Sequence, residues 1–459
     1  TTITYGRNGK PEKVTDPAGN VHTYGYDGAG RVATQTDGTG AVTRYAYTMT
    51  GNIKRVTEPD GLCTEYTYDG GGRIRSILVN GRSVETYAYD ACGRVSRRTM
   101  ADGYTIIYGY DCMNRIRRVS SSEGRTITYT YDAAGRVASQ DDCGSITRYA
   151  YTPSGKLRAV TDAMGNLTEY GYDETGSLTR ISRDGNVTLY ERNLAGEVSA
   201  VTDASGQRRT YSYDVFGHLV KKTDEDGYET LYTTDAAGDL TGITYADGTR
   251  TDYRYDACHR LTEFTDGSGT TRIRMDGAGR PTLVTDPQGR QVSYTYGSAG
   301  ERTSVTYPDG KCVRYTYDAF RNITETADGM QKVSYAYDEN GRLTGKSFPD
   351  GCGTTFEYLQ GGDLKTLTHM DREGILDRYV YRYDERHNRT GIHRDRRGMP
   401  EVSGDYAYTY DPLSRLTGVM KDGIPEHSYS YDPYGNSSSE LSGHTARSYS
   451  YDPAGRLKE

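Results

Sequence analysis

The sequence predicts an all-β fold in which about 22 repeats form one continuous antiparallel β-hairpin ribbon. Two alternating tyrosines followed by an Asp-x-x-Gly-Arg turn recur every 20 or 21 residues, or at twice that interval where a copy has diverged. Each interval contains a second turn rich in Asp and Gly. Hydrophobic residues make up 34% of the 459 residues, with no Trp and 5 Phe against 45 Tyr and 56 Gly, so this composition favours a thin sheet with many turns over a thick apolar core.

The repeat is clearest in residues 129–137, which read Tyr-Thr-Tyr-Asp-Ala-Ala-Gly-Arg-Val. Tyr129 and Tyr131 alternate as strand residues do, and aromatic side chains favour a pleated, half-buried surface. The Asp132 carboxylate can accept a backbone N–H two residues later, and Gly135 can adopt a positive φ. The phrase therefore predicts the end of one strand, a tight turn and the start of the next strand.

The other copies of this phrase supply the residues to which the sequence assigns a structural role. In each copy Tyr ends a strand, Asp and Gly shape the turn, and Arg begins the next strand. These predicted turn residues are Tyr26, Asp27, Gly30, Arg31, Tyr68, Asp69, Tyr89, Asp90, Gly93, Arg94, Tyr131, Asp132, Gly135, Arg136, Tyr172, Asp173, Gly176, Tyr213, Asp214, Gly217, Tyr317, Asp318, Tyr337, Asp338, Gly341, Arg342, Tyr451, Asp452, Gly455 and Arg456.

The second turn of each period is predicted by a similar argument. In Asp16-Pro17-Ala18-Gly19, Asp opens the turn, Pro fixes φ and Gly closes the turn, as a type I turn prefers. One period therefore consists of a strand, an Asp/Gly turn, a strand and a Tyr-Asp turn, with strands of about six or seven residues. The two kinds of turn are expected to line the two long edges of the ribbon.

The repeats are predicted to form a single segment, residues 1–459, that is less regular in one part. They are regular over residues 1–362 and 411–459, whereas within residues 363–410 the interval lengthens to 25 and 27 residues. Residues 389–404 are expected to form a longer, charged connection, and an enlarged hairpin loop is favoured there over a binding loop.

Charge and hydropathy exclude several classes of partner. The net charge is −7 and the densest basic run, residues 394–397, is short and interrupted, so no nucleic-acid interface is expected. No apolar run approaches the ~20 residues of a membrane-spanning helix. Neither end reads as the natural end of a gene product, and the chain is expected to be a segment of a longer protein whose missing targeting signals say nothing about its location.

No catalytic residue, cofactor or metal site is predicted, and the chain is not expected to be an enzyme. The Asp-Pro pairs all lie in repeat turns, and the His residues have no partner at catalytic spacing. Residues 224–229, Asp-Glu-Asp-Gly-Tyr-Glu, resemble part of a calcium loop, but a polar hairpin turn is the favoured interpretation.

The 7 cysteines are expected to be free thiols, and none forms a CxxC pair or a zinc spacing with His. Cys92, Cys112 and Cys258 fall in or beside Tyr-Asp turns, where they are expected to be small turn fillers. Cys92 and Cys112 occupy nearly equivalent turns two strands apart, or about 9.5 Å at normal strand spacing. A disulfide requires Cα atoms within ~7 Å.

The Tyr-x-Tyr-Asp-x-x-Gly-Arg-Leu/Val phrase covers nearly the whole chain and resembles the Rhs/YD-repeat family. That family includes bacterial Rhs polymorphic toxins, the shell of insecticidal toxin complexes and the extracellular teneurins. The resemblance implies a β-ribbon that spirals into a hollow shell; in the bacterial toxins the shell encloses a C-terminal toxin that an aspartyl autoprotease releases. This chain is expected to carry the repeats alone, without the autoprotease core, the toxin or a plug domain.

Two functions from different classes follow from the resemblance. The favoured one is a non-catalytic shell segment of an Rhs-type protein that encapsulates and helps deliver a C-terminal toxin or effector, with the remainder of its parent chain as partner and cargo. The alternative is an extracellular adhesion module that binds cell-surface carbohydrate or protein, since exposed tyrosines can stack on sugar rings. Both imply a bacterial protein that is secreted or at the cell surface.

The length of the ribbon limits how far the chain can close on itself. About 22 periods give a ribbon ~200 Å long and ~20 Å wide, which makes about one and a half turns around a lumen ~45 Å across. The chain is therefore predicted to form a curved, open β-spiral, an open part of a hollow shell whose ribbon edges neighbouring turns or subunits would cover.

Overall fold

The computed structural model describes residues 1–443 and 445–458. In these residues the protein is all-β, with 43 strands in one sheet, two single-turn 3-10 helices and no α-helix. Wherever the register is defined, each strand pairs antiparallel with the next strand along the chain, as β2 pairs with β3 and β13 with β14. The predicted continuous antiparallel hairpin ribbon is confirmed, and the sheet is open.

The first twenty-two strands are β1 (Thr2–Tyr5), β2 (Pro11–Thr15), β3 (Val21–Tyr26), β4 (Val32–Thr36), β5 (Val42–Tyr47), β6 (Ile53–Thr57), β7 (Cys63–Tyr68), β8 (Ile74–Val79), β9 (Arg82–Tyr89), β10 (Val95–Met100), β11 (Thr105–Tyr110), β12 (Ile116–Ser121), β13 (Thr126–Tyr131), β14 (Val137–Asp142), β15 (Ser145–Tyr151), β16 (Leu157–Thr161), β17 (Leu167–Tyr172), β18 (Leu178–Arg183), β19 (Asn186–Arg192), β20 (Val198–Thr202), β21 (Arg208–Tyr213) and β22 (Leu219–Thr223).

The remaining strands are β23 (Glu229–Thr234), β24 (Leu240–Thr244), β25 (Arg250–Tyr255), β26 (Leu261–Asp266), β27 (Gly269–Met275), β28 (Pro281–Thr285), β29 (Gln291–Tyr296), β30 (Arg302–Thr306), β31 (Cys312–Tyr317), β32 (Ile323–Ala327), β33 (Lys332–Tyr337), β34 (Leu343–Ser347), β35 (Gly353–Tyr358), β36 (Leu364–Asp371), β37 (Gly374–Tyr383), β38 (Arg389–Arg396), β39 (Gly404–Tyr410), β40 (Leu416–Lys421), β41 (Ile424–Tyr431), β42 (Ser437–Ser442) and β43 (Thr445–Ser448). The 3-10 turns are η1 (Gln360–Gly362) and η2 (Pro400–Val402).

A register shift precedes the Tyr-Asp turns. In the β13–β14 pair, Thr130 lies opposite Ser139 but the next residue, Tyr131, lies opposite Val137, so one residue of β14 is left out of the ladder. The same shift occurs before Tyr26 in the β3–β4 pair and before Tyr172 in the β17–β18 pair. Such a bulge bends the strand as it enters the turn.

Short turns with a left-handed residue connect the strands. The Asp/Gly turn at 16–20 closes with the Gly19 N–H donating to the Asp16 carbonyl oxygen at 3.0 Å, and Gly19 has φ 87°. Where the turn shortens to two residues, as at Asn80-Gly81, both residues have positive φ, 49° and 79°. This is the turn whose twist matches that of the flanking strands, and it explains the Asn-Gly sequence there.

The sheet is a single layer with almost no buried interior. Among the described residues the buried apolar side chains are those of Ala200, Val305 and Val419. Stability must therefore come from the backbone ladder, the turns and cross-strand side-chain pairs, each of which contributes a few tenths to about 1 kcal/mol. A search of the described residues for helices long and apolar enough to span a membrane found none.

The chain divides into two compact units. The first unit comprises Thr1–Tyr89, Arg98–Asp102 and Thr230–Gly353. The second unit comprises Asp90–Arg97, Gly103–Glu229 and Thr354–Glu459. The predicted division into regular repeats over 1–362 and 411–459 with irregular repeats over 363–410 stays a proposal.

The prediction of a long charged connection over residues 389–404 is wrong. Residues Arg389–Arg396 form strand β38, which pairs with the ten-residue strand β37, and only the residues between Arg396 and Gly404 connect to β39. The charged side chains belong to strands because they pair across the ladder. Arg394, for example, contacts the buried carboxylate of Asp377 at 3.1 Å.

Candidate functional site

The Tyr-Asp turn is held by the carboxylate of its Asp. In the turn at 132–136, Oδ1 of Asp132 accepts the backbone N–H of Ala134 at 3.0 Å and that of Arg136 at 2.9 Å. The other carboxylate oxygen, Oδ2, accepts Nε–H of Arg136 at 2.7 Å. Gly135 closes the turn with φ 83° and donates its N–H to the Asp132 carbonyl oxygen at 3.0 Å. The four residue types of the motif therefore act within one turn.

The second Tyr of each phrase ties its turn to the preceding repeat. The hydroxyl of Tyr110 donates to the carbonyl oxygen of Val95 at 2.8 Å, and the hydroxyl of Tyr131 donates to that of Ile116 at 2.5 Å. In each case the acceptor is 15 residues earlier in the chain. Because the carbonyl belongs to the residue that begins the preceding return strand, the hydroxyl joins consecutive repeats.

The Arg of the motif reaches in the opposite direction, to the following repeat. The guanidinium of Arg115 lies over the ring of Tyr131, 4.2 Å from the centroid, and that of Arg94 lies 4.4 Å from the centroid of Tyr110. A cation above an aromatic face is attracted by the ring quadrupole. The same contact is made by Arg31 with Tyr47, Arg73 with Tyr89, Arg136 with Tyr151, Arg280 with Tyr296 and Arg415 with Tyr431. The sequence assigned Arg only to the start of a strand and missed this link.

These contacts move the pKa values of the turn residues further from neutral pH. The hydrogen bond from the Arg136 side chain lowers the pKa of Asp132 below its usual value. Burial raises the pKa of Tyr131 above its usual value because the phenolate would lose hydration. At neutral pH the edge therefore carries ionised Asp, protonated Tyr and charged Arg in the states that the hydrogen bonds require.

The structure places the predicted turn residues in equivalent positions. Each of the named Tyr residues donates its hydroxyl to a carbonyl 14 or 15 residues earlier, and each named Asp accepts the backbone N–H four residues later. The named Gly residues have positive φ. The named Arg residues each donate Nε–H to the Asp of their own turn.

The ribbon has two edges with different chemistry. We call the row of turns such as 132–136 the Tyr-Asp edge, and the row of turns on the opposite side, such as 58–62, the hairpin edge. Within each unit the Tyr-Asp edge of a later ribbon length contacts the hairpin edge of an earlier one, and we call this contact the seam. No local sequence pattern predicts the seam, because it joins residues that are 239 to 267 positions apart in the chain.

In the first unit the seam combines an ion pair, a hydrogen bond and an aromatic contact. Arg321 donates to both carboxylate oxygens of Asp60, at 2.7 and 2.9 Å. The Asn80 side chain donates to the carbonyl oxygen of Ala319 at 2.6 Å. The guanidinium of Arg82 lies 3.8 Å from the centroid of the Phe320 ring.

In the second unit the seam has the same polarity. Ser145 on the hairpin edge donates to the carbonyl oxygen of Pro412 in a Tyr-Asp turn at 2.7 Å. Arg183 donates to the carbonyl oxygen of Pro433 at 2.5 Å, and the hydroxyl of Tyr434 donates to the Arg183 carbonyl oxygen at 2.5 Å. In both units a Tyr-Asp turn from later in the chain therefore contacts a hairpin-edge turn from earlier in the chain.

The residues that could hold a metal are not those that the sequence considered. In the calcium-like stretch, Asp224 accepts the backbone N–H of Asp226 and of Tyr228, at 3.1 and 2.9 Å. Glu225 pairs with Arg209 at 2.6 Å, which lowers the pKa of Glu225 to about 2. Both carboxylates are thus occupied by hydrogen bonds or an ion pair within the protein. Among the described residues, the side chains that come together as possible metal ligands are instead those of Glu123, Asp363 and His387.

Comparisons with known proteins agree with this architecture. The model described as RHS Repeat matches residues 5–42, 151–188, 192–229, 235–271, 276–311 and 302–329, and the model described as Teneurin YD-shell matches residues 62–140. Among curated proteins, none matches the chain.

Solved structures match over almost the whole chain. A chain of the Photorhabdus luminescens Tc holotoxin pore is 14% identical, with a TM-score of 0.65, and the match covers 99% of this chain and 33% of that one. A chain of the TcdB2-TccC3 crystal structure is 13% identical, with a TM-score of 0.44, and the match covers 99% of this chain and 36% of that one. This chain thus spans about a third of the length of the solved chains that it matches, and at such identity the likeness concerns the fold.

The ribbon, its two turn edges and the matching repeat models define a structural repeat protein of the β-shell class. The chain belongs to the Rhs/YD-repeat family.

Proposed function

We propose that this chain is a non-catalytic wall segment of an Rhs-type protein that encapsulates a C-terminal toxin or effector and helps to deliver it. The seam carries the proposal: in each unit the contact between edges joins two ribbon lengths side by side and so turns a narrow ribbon into a wider wall. The cargo would be the remainder of the parent chain, and the protein would be secreted or at the surface of a bacterium.

The thinness of the sheet supports the proposed role as the wall of a shell. A globular domain buries one face of its sheet against another layer. Here the described residues include three buried apolar side chains, so both faces of the sheet remain accessible to water. A single layer with two wet faces suits a partition between an enclosed volume and the exterior.

The use of the polar groups supports a structural role. In residues 131–136 the Asp, Tyr and Arg side chains form hydrogen bonds with one another or with the backbone. These polar groups therefore stabilise the fold of the repeat. The alternative, an adhesion module that binds carbohydrate or protein, stays a prediction.

The proposal can be tested by limited proteolysis of the complete gene product. The variants are Arg321→Asp, Asp60→Arg and the double exchange, which reverses the ion pair across the seam while retaining it. We expect the region beyond the repeats to be protected in the wild type, to be cleaved at least several-fold faster in each single variant, and to regain protection in the double variant.

Arg314→Asp provides the matched control, because Arg314 is an exposed strand residue with the same change of charge. It should leave protection unchanged, and circular dichroism should show native β-structure in all variants. Cleavage of the following region at the same rate in the wild type and in the single variants would contradict a role in encapsulation.

A further inference from the structure

Three side chains with ligand chemistry meet at the seam of the second unit. Glu123 lies in the hairpin turn between β12 and β13, Asp363 lies at the end of the turn that follows β35, and His387 lies in the turn between β37 and β38. One carboxylate oxygen of each acid and one imidazole nitrogen lie within 4.8 Å of one another, and all three residues are half-buried. The two turns that carry Asp363 and His387 are consecutive on the Tyr-Asp edge.

The first unit contains the same His–Asp pair without the third group. His387 and Asp363 are 2.6 Å apart, measured from Nδ1 to Oδ2, and His259 and Asp239 are 2.7 Å apart by the same measure. Each His is the fourth residue of its turn and has positive φ, 66° and 62°. Among the described residues, no third ligand-bearing side chain joins the His259 pair. The side chain of His259 is 59% exposed, whereas that of His387 is 27% exposed.

The side chains that meet at this place differ from those at the Arg321 contact. Arg321 occupies the same turn position as His387 and meets one hairpin-edge carboxylate, that of Asp60, so one positive charge balances one negative charge. At the Glu123 site two carboxylates face one imidazole. A divalent cation held by these three groups would neutralise both carboxylates.

We propose that Glu123, Asp363 and His387 bind a divalent transition-metal ion, for which Zn²⁺ is the best match. One imidazole nitrogen with two carboxylate oxygens is a ligand set that zinc accepts, with water in the remaining position. Calcium prefers six to eight oxygen ligands, and magnesium is usually bound by carboxylates with several waters, so neither matches the imidazole. The ion would clamp the Tyr-Asp edge to the hairpin edge within the second unit.

This inference departs from the sequence-based expectation that the chain holds no metal. Zinc sites are recognised in a sequence by ligands at short, characteristic spacings. Glu123 is distant in sequence from Asp363 and His387, and only the seam brings them together. The inference does not depend on what the wall encloses.

The test is Zn²⁺ binding by the whole chain after removal of metals with EDTA. Isothermal titration with ZnCl₂ should give the wild type one more bound Zn²⁺ than His387→Ala, and Glu123→Gln should weaken that site at least tenfold. Thiol sites, if the cysteines bind Zn²⁺, contribute equally to all three proteins and cancel in the comparison. CaCl₂ should not compete.

His259→Ala is the matched control, since it removes the equivalent His–Asp pair and should leave the wild-type stoichiometry unchanged. As a second measurement, Zn²⁺ should raise the melting temperature of the wild type and of His259→Ala but not that of His387→Ala. The same stoichiometry in the wild type and His387→Ala, or wild-type affinity in Glu123→Gln, would overturn the assignment.

Discussion

The guanidinium of Arg136 lies over the ring of Tyr151, 4.6 Å from its centroid, while Nε of the same side chain donates to Oδ2 of Asp132 at 2.7 Å. One arginine side chain therefore contacts both its own turn and the next repeat. It also donates to the carbonyl oxygen of Thr152 at 3.2 Å. Because neighbouring repeats have little shared apolar surface, such polar links replace the core that a globular domain would have.

Replacement of Arg136 by Ala should lower the free energy of unfolding by about 1–2 kcal/mol, since it removes a charge-assisted hydrogen bond and a cation–π contact. Arg136→Lys should have an intermediate effect, because a lysine keeps the charge but cannot form the same fork of hydrogen bonds. Urea unfolding measures the change. The control is Arg158→Ala, at an exposed strand position, which should be nearly neutral; equal effects at the two positions would contradict the role given to Arg136.

Tyr131→Phe should destabilise the protein by about 0.5–1.5 kcal/mol, because it leaves the carbonyl oxygen of Ile116 without its hydroxyl donor. Tyr129→Phe, at the first Tyr of the same phrase, should change stability by a few tenths of a kcal/mol at most. Hydrogen exchange measured at the β12 and β13 backbone should quicken in the first variant alone. A similar response in both variants would show that ring packing, and not the hydroxyl, matters.

The turn carboxylates should make the fold sensitive to acid. Because the hydrogen bonds of Arg136 lower the folded pKa of Asp132, this group stabilises the fold above its unfolded pKa of 3.8, and the contribution is lost as the pH falls through the folded pKa. Asp452, held by the backbone N–H and side chain of Arg456, has a pKa of about 2. Circular dichroism should therefore show the β-structure being lost between pH 4 and pH 2, within the interval set by those two values.

The same argument predicts how one variant depends on pH. Asp132→Asn should be less stable than the wild type at pH 7, and the difference should shrink toward zero as the pH falls below the folded pKa of Asp132. Glu174→Gln, an exposed change two turns further along the same edge, should show no such trend. A wild-type advantage over Asp132→Asn that does not shrink as the pH is lowered from 7 through the unfolded pKa of 3.8, while both proteins are still folded, would refute the assigned linkage.

Thiol titration should find seven reactive groups in unfolded, unreduced protein, since no disulfide joins cysteines in the described residues, which include all seven. In the native protein the exposed Cys92, Cys112 and Cys143 should react first. The four half-buried cysteines should react more slowly. Cys143→Ser should lower the fast count by one and leave the slow count unchanged, and fewer than seven thiols in the unfolded wild type would reveal a disulfide.

The parts of the fold that the sequence predicts are those that form within a few residues. Asp132 and Gly135 determine their turn through contacts inside four residues, so their spacing is visible as a repeat. The prediction of a loop at β38 is wrong because alternating Arg, His and Asp residues are also typical of a solvated segment. Their partners explain the error: Arg394 contacts Asp377 at 3.1 Å and His393 contacts Asp405 at 3.2 Å, so the charges are paired across strands.

The seam could not be predicted, because no local pattern encodes it. Asp60 and Arg321 are 261 residues apart, and each lies in a turn that its own Asp or Gly already explains. The same holds for Glu123 and its two neighbours. Only the path of the ribbon in three dimensions decides which turns meet, and the sequence period contains no information about that path.

The seam also means that different positions of one Tyr-Asp turn are restricted in residue type by different contacts. Asp318 is fixed by its own turn, whereas the side chains of Phe320 and Arg321 contact Arg82 and Asp60 on a distant hairpin edge. Repeats with similar sequences are therefore not interchangeable. A repeat moved to another position in the chain would present side chains that do not match the hairpin edge it contacts there. Across related chains, substitutions at such positions should co-vary with substitutions about twelve repeats earlier, while the Asp that opens the turn stays constant.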